Sequence, residues 1–187
     1  MRKQKNVSAE SRSAMSQPSI ALLQQMPVFG GLRTDSIQLL LRLSPVITIT
    51  SGNFFFREHE LGGSMFVLED GKVAILKSWE GNDHLLAYLA KGDCFGEMEM
   101  MNLCPRVASV MAVTDCTALQ ISKASLFHLY EKDLEQFTLI QMNMGREVSR
   151  RLRTLDQELF EKNVKENVAI KKILSHQDLI EQEGDRT

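Results

Sequence analysis

A β-jelly-roll (double-stranded β-helix) flanked by helices, with a long helix at the C-terminal end, is the fold class this sequence predicts. Three observations carry the prediction. Short apolar runs bounded by turn residues recur from Val46 to Ile121, the pattern of a mainly β sandwich or barrel. On both sides of that stretch the apolar spacing changes to steps of three and four, which is helical. The composition, 187 residues with 43% hydrophobic and 25% charged side chains, is that of an ordinary globular chain.

The elements follow in order. Residues 1–18 are rich in Ser, Gln, Lys and Arg and nearly devoid of apolar side chains, so they read as a disordered tail. Arg2, Lys3, Lys5 and Arg12 against Glu10 make it basic; a solvated arm is the simpler reading, an acidic partner the sharper one. A roll domain with flanking helices is expected over 19–131. Ile20, Leu23 and Met26 share one side of a short helix that stops near Pro27 and Gly30-Gly31. Thr34 reads as the N-cap of a second helix carrying Ile37, Leu40 and Leu41. After Pro45, Val46, Ile47 and Ile49 lie among threonines and open the strands. Asp70-Gly71, between the runs Met65 to Leu68 and Val73 to Leu76, predicts a hairpin, and Glu80-Gly81-Asn82 predicts another into Leu85 to Leu89. Lys91-Gly92-Asp93 and Thr114-Asp115 mark further turns.

Ser122 is a plausible N-cap for Leu126 to Tyr130. Phe137, Ile140, Met144, Val148, Leu152, Leu155 and Leu159 then form one apolar stripe on a long helix over 132–165, ahead of a polar tail over 166–187. About 30 helical residues span about 45 Å, more than a small domain needs. The stripe requires a cover, and the candidates are the roll itself and a second copy of the same helix.

Composition narrows the function classes. A net charge of −2 argues against a general nucleic-acid or membrane binder. No apolar run approaches the roughly 18 residues of a membrane span. The N-terminus lacks the apolar core of a secretory signal, so a cytoplasmic protein with reduced thiols is expected. Cys94, Cys104 and Cys116 are odd in number, widely spaced and without a CxxC pair, and His59, His84, His128 and His176 are scattered. No metal or cofactor is therefore expected. Ser125 with His128 lacks a nucleophile-elbow context, so the chain reads as a non-enzyme.

The most informative stretch is Gly92-Asp93-Cys94-Phe95-Gly96-Glu97-Met98-Glu99-Met100-Met101, followed by Pro105-Arg106-Val107-Ala108-Ser109-Val110. It reads as a strand, a glycine, a very short helix, a loop and another strand. Gly96 lets a backbone approach a ligand closely. A helix beginning near Glu97 presents free N–H groups to an anion. Arg106 can hold an anionic oxygen pair bidentately. Ionised Glu97 only accepts hydrogen bonds and so suits a hydroxyl donor. Phosphate donors beside a hydroxyl acceptor match the sugar-phosphate part of a nucleotide.

At these residues the sequence resembles the cyclic nucleotide-binding domain family, whose members include the regulatory subunit of protein kinase A and the catabolite activator protein. The family's phosphate-binding cassette, F-G-E-[LIVM]-[AS]-[LIVM] and then R-[STAQ]-A, is matched by Phe95-Gly96-Glu97-Met98-Glu99-Met100 and Arg106-Val107-Ala108. The resemblance covers roughly residues 20 to 160, including Phe66 to Val73 around Gly71 and the long terminal helix. It implies a sensor of cAMP or cGMP, with Glu97 on the ribose 2′-hydroxyl and Arg106 on the exocyclic phosphate oxygens. Gly96 and backbone amides around Met98, Glu99 and Val107 would complete the cradle. It also implies a homodimer seam on the terminal helix and a possible protein partner. Transcription factors of the superfamily carry a helix-turn-helix after that helix; residues 170–187 are too few for one, so DNA binding is not expected.

Two residues depart from the cassette. Val107 stands where the family prefers a small or hydroxyl residue, and Glu99 stands where it has alanine or serine. A carboxylate about 4 Å from a phosphate repels it by about 4 kcal/mol at a surface-like dielectric, against a net Arg106 contact of roughly 1.5–3 kcal/mol. Glu99 either points to solvent or pairs with Arg106 until a ligand arrives, so the cassette is weakened or retuned. A bland alternative makes Glu97 and Arg106 a structural ion pair in an empty pocket, and the whole domain a dimerisation or protein-interaction scaffold that binds no nucleotide. Met65, Met98, Met100 and Met101 read as core filler. Arg146, Arg150, Arg151 and Arg153 read as a solvated face, partly paired with Glu147 and Asp156.

Overall fold

The structure, a computed structural model, describes the backbone of residues 20–184 and the side chains of residues 20–167. The basic tail read over 1–18 lies outside the described residues. Helices α1 (Ile20–Gln25) and α2 (Thr34–Leu43) precede eight strands: β1 (Val46–Ile49), β2 (Phe54–Phe56), β3 (Ser64–Asp70), β4 (Lys72–Trp79), β5 (Asn82–Ala90), β6 (Cys94–Phe95), β7 (Ser109–Ala112) and β8 (Cys116–Ser122). Helix α3 (Glu97–Asn102) lies between β6 and β7; α4 (Lys123–Lys132) and α5 (Leu134–Gly184) follow the strands.

The strands form two four-stranded antiparallel sheets, ordered β1-β8-β3-β6 and β2-β7-β4-β5. Apart from β4 and β5, which form a hairpin, sequence neighbours alternate between sheets, which is the jelly-roll winding predicted above. Period-two alternation in β3 and β8 sends their two faces to different cores. Met65, Val67, Leu119 and Ile121 meet the helices, packing with Leu23, Phe29, Ile37, Leu40, Leu129, Ile140 and Met144. Phe66, Leu68 and Ala118 face into the roll with Phe56, Val73, Phe95 and Val110.

The turns divide into two kinds. Glu80 and Gly81 both have positive φ (51° and 79°), the two-residue geometry that twists correctly into flanking strands, and β4 and β5 pair from Trp79–Asn82 to Lys72–Ala90. Asp70-Gly71, in contrast, is not a hairpin. β3 pairs with β6 and β8, whereas β4 pairs with β5 and β7. Gly71 (φ +96°) is instead the corner at which the chain changes sheets, where a Cβ would stand 2.5 Å from the Asp115 carbonyl oxygen.

Helix starts also divide. The Ser122 hydroxyl accepts the Ser125 N–H at 3.0 Å, an N-cap contact worth about 1 kcal/mol. Thr34 is the first residue of α2 rather than its cap. Extended Arg33 precedes it without a side-chain cap, and the Arg33 N–H is satisfied across the fold by Gln136 Oε1 at 2.6 Å. The long-helix stripe divides at Met144. Ile140 and Met144 are fully buried with the first core, while Leu152, Leu155 and Leu159 on the outer helix are 57%, 53% and 58% exposed. Within that outer segment Arg150 pairs with Glu147 at 2.7 Å.

Candidate functional site

Three chain segments converge on Arg106. β6 ends at Phe95, and Gly96, with a left-handed φ of +80°, turns the backbone into α3 within one residue. The loop after α3 carries Arg106 toward β7. The third segment is the loop between β2 and β3. There His59 N–H donates to the Arg106 carbonyl at 2.8 Å, and Arg106 N–H donates to the Glu60 carbonyl at 3.0 Å. The Arg106 main chain is thus held in both directions before its side chain makes any contact.

The guanidinium is enclosed on every side that these segments offer. Nη1 donates to the Gly96 carbonyl at 3.0 Å and Nη2 to the Ser64 carbonyl at 2.7 Å. The Phe56 ring lies under the plane, its centroid 3.8 Å from Cζ, a stacking geometry favourable to a cation. A Cβ on Gly62 would stand 2.6 Å from Nη2, and one on Gly96 2.5 Å from Nη1. Both positions must therefore lack a side chain for the backbone to close in.

Nε faces Glu99 Oε2 at 2.9 Å, and both side chains are only 4% exposed. Neither atom has an aligned hydrogen bond, so the contact is one of charge. Lys123 Nζ stands 3.9 Å from the other Glu99 oxygen. Burial pushes Arg106 down from its ordinary value, and Glu99, Glu60 and Glu97 pull it back up. An arginine starts so high that it stays charged throughout.

The cassette positions predicted from sequence fall in two groups. Gly96, Glu99 and Arg106 meet directly, and Glu97 is buried beside them. Met98 and Val107 are 43% exposed on the outside. Glu99 pairs with Arg106, the second of the two geometries open to it. The methionine reading needs correction. Met65 is buried and Met100 half-buried against the core, but Met98 and Met101 are exposed, because α3 turns its two carboxylates inward and these two thioethers out. Gly62, Ser64, Phe56 and Lys123 were not anticipated; of these only the Gly62-Gly63 pair ahead of a strand carried a sequence signal.

Residues 46–133 match the family described as the cyclic nucleotide-binding domain. That segment is a cyclic nucleotide-binding domain. Relatives of the domain bear out the fold. The cyclic AMP receptor protein of Thermus thermophilus is 29% identical over 71% of this chain and 60% of its own length, so the chain spans less than two thirds of that relative. The crystal structure of the Thermus thermophilus catabolite activator protein superposes with a TM-score of 0.62 at 29% identity, covering 71% of this chain and 61% of that one. A third likeness is to the regulatory subunit of a cAMP-independent protein kinase A from Trypanosoma brucei (TM-score 0.56, 23% identity, 72% of this chain and 45% of that one). That structure is of a triple mutant bound to cAMP. Its substitutions are glutamate to alanine and, seven and eight residues further on, threonine to arginine and valine to alanine. Family members of this type are regulatory domains, some of them within kinases. Among the described residues no helix is long and apolar enough to cross a membrane.

Proposed function

We propose that this chain is a non-catalytic regulatory domain whose cyclic-nucleotide cradle is filled by its own Glu99 carboxylate. The native protein then acts as an interaction module and not as a cAMP or cGMP sensor. The observation that supports this reading is the buried Arg106–Glu99 pair at 2.9 Å. The cation that a cyclic phosphate would need already has an anion. An incoming phosphate must displace Glu99 or sit beside it, and sitting beside it costs about 4 kcal/mol at 4 Å, about a thousandfold in affinity. Glu97 and Glu60 add to the negative field around the same guanidinium. Glu99, Arg106 and Val107 also repeat the spacing of the three positions changed in the cAMP-bound Trypanosoma mutant. At 23% identity that likeness speaks to the fold, and the shared spacing only motivates the test.

Calorimetric titration of cAMP and cGMP decides the matter. The native chain is expected to show no heat at millimolar ligand. Glu99→Ala, checked for folding by its thermal melt, is expected to bind in the micromolar range, and Glu99→Ala/Arg106→Ala to be silent again. Micromolar binding by the native chain, lost in Arg106→Ala, would restore the sensor reading and overturn this one.

The module is proposed to work as a homodimer through α5. Its support is the exposed stripe of Leu152, Leu155 and Leu159, spaced three and four apart as a helix–helix seam requires. The exposed Met98, Met101, Leu103 and Val107 around the closed cradle offer an apolar rim for a protein partner.

A further inference from the structure

We propose that Lys77 is a positioning residue of the cradle: its ammonium clasps Glu58 in the β2–β3 loop and the Val107 carbonyl beside Arg106, and so fixes the main chain that presents the guanidinium. The assignment rests on the proposed reading of this cradle, in which Arg106 is the cation that Glu99 or a phosphate would hold. The two segments meet through paired main-chain bonds, His59 N–H to the Arg106 carbonyl and Arg106 N–H to the Glu60 carbonyl. Both bonds lie in loops, where main chain is ordinarily mobile. His59 has a left-handed φ of +68°, a conformation that a residue with a side chain keeps only where its surroundings impose it.

The imposing groups come from β4. That strand pairs with β7 as far as Leu76 opposite Ser109, so Lys77 is the first residue past the ladder. Lys77 Nζ donates to Glu58 Oε1 and, at 2.9 Å, to the Val107 carbonyl. Glu58 Oε2 accepts the Ser78 N–H at 3.0 Å, and the Glu58 N–H donates to Ser109 Oγ at 2.9 Å. His59 Nε2 stands 3.4 Å from Glu58 Oε1. The Glu58 side chain is 6% exposed, although that of Lys77 is 48% exposed. An ion pair between two free surface side chains is worth little. Here the carboxylate is sheltered and already fixed by the main chain of β4, and one ammonium joins both loops that bear on Arg106. The Lys77 and Ser78 hydrogen bonds hold the Glu58 carboxyl below its ordinary value against the effect of burial, so the clasp is charged at neutral pH. Lys77 thus acts on the guanidinium through the main chain.

Amide hydrogen exchange of the full chain tests the role, in the native protein, in Lys77→Met, which keeps the apolar stem, and in Glu58→Gln. The His59 and Arg106 amides are expected to exchange about tenfold faster in both variants. The Gln120 amide, bonded to the Pro45 carbonyl in the other sheet, should keep its native rate. In the Glu99→Ala background, adding Lys77→Met should weaken cAMP binding about tenfold, with Arg106 itself unchanged. Native exchange rates at His59 and Arg106 in both variants would overturn the proposal. So would equal acceleration at Gln120, the mark of a general loss of stability, and so would an unchanged cAMP affinity on adding Lys77→Met to Glu99→Ala. If Glu99→Ala alone binds no cAMP, the reading of the cradle fails, and the exchange rates still decide the role of Lys77.

Discussion

Arg106→Ala is expected to lower the stability of the protein by about 3–5 kcal/mol, the cost of leaving one member of a buried ion pair without its partner. The reason is specific to this site. Removing the side chain frees the Gly96 and Ser64 carbonyls, uncovers the face of Phe56 and leaves Glu99 buried with Lys123 at 3.9 Å as its remaining cation among the described residues. Glu99→Ala should also destabilise, because the guanidinium then keeps its carbonyls but loses its charge partner. The double variant Arg106→Ala/Glu99→Ala should cost less than the two single changes together, since neither buried charge is left alone, with a coupling of about 0.5–3 kcal/mol. Urea melts of the four proteins measure this. Additive losses would mean that the two side chains do not act as a pair.

Phe95→Ala should cost a comparable amount, about 3–5 kcal/mol, for a different reason. Phe95 is 2% exposed. Its ring lies 4.9 Å from Phe55, 5.4 Å from Phe66 and 6.1 Å from Phe56. Truncation opens a cavity at the centre of this aromatic group and gives up ring–ring contacts worth about 0.5–1.5 kcal/mol each. Phe56, which carries the Arg106 guanidinium, belongs to the same group, so the damage reaches the cradle. Phe127→Ala removes an equally large ring that is 55% exposed and stacks on Tyr130 at 5.8 Å, and should cost only about 0.5–1.5 kcal/mol. Thermal melts of the two variants separate a cavity effect from a loss of aromatic area alone.

What the sequence discloses and what it conceals follow from the range of the interactions. The Glu80-Gly81 turn and the Ser122 cap were legible because a few neighbouring residues determine them. Asp70-Gly71 has the same local chemistry as a hairpin turn, yet it changes sheets, because strand partners are chosen by Cys116 to Ser122 far along the chain and not by the turn. Thr34 likewise falls one residue inside its helix, because the extended residue before the helix is Arg33, whose N–H is held by Gln136 from far along the chain. In the cradle, the cassette spacing placed Gly96, Glu97 and Arg106, and the mismatch at Glu99 showed that a charge conflict had to be resolved. It did not show how. That outcome depends on Gly62 and Ser64, which close the cradle from the β2–β3 side, and on the six-residue α3, too short for apolar periodicity to orient it. Its Glu99 points inward, where Arg106 meets it.

The most direct test of the account observes Arg106 itself. In a proton–nitrogen NMR spectrum its Nε–H signal can be assigned by its loss in Arg106→Lys. With Glu99 holding the guanidinium, that signal should stay in place in the native protein as cAMP is raised to millimolar concentration, and should move in Glu99→Ala. A saturable shift of the native signal at micromolar cAMP would show that the ligand displaces Glu99 with ease, and would contradict the claim that the cradle is closed by its own carboxylate.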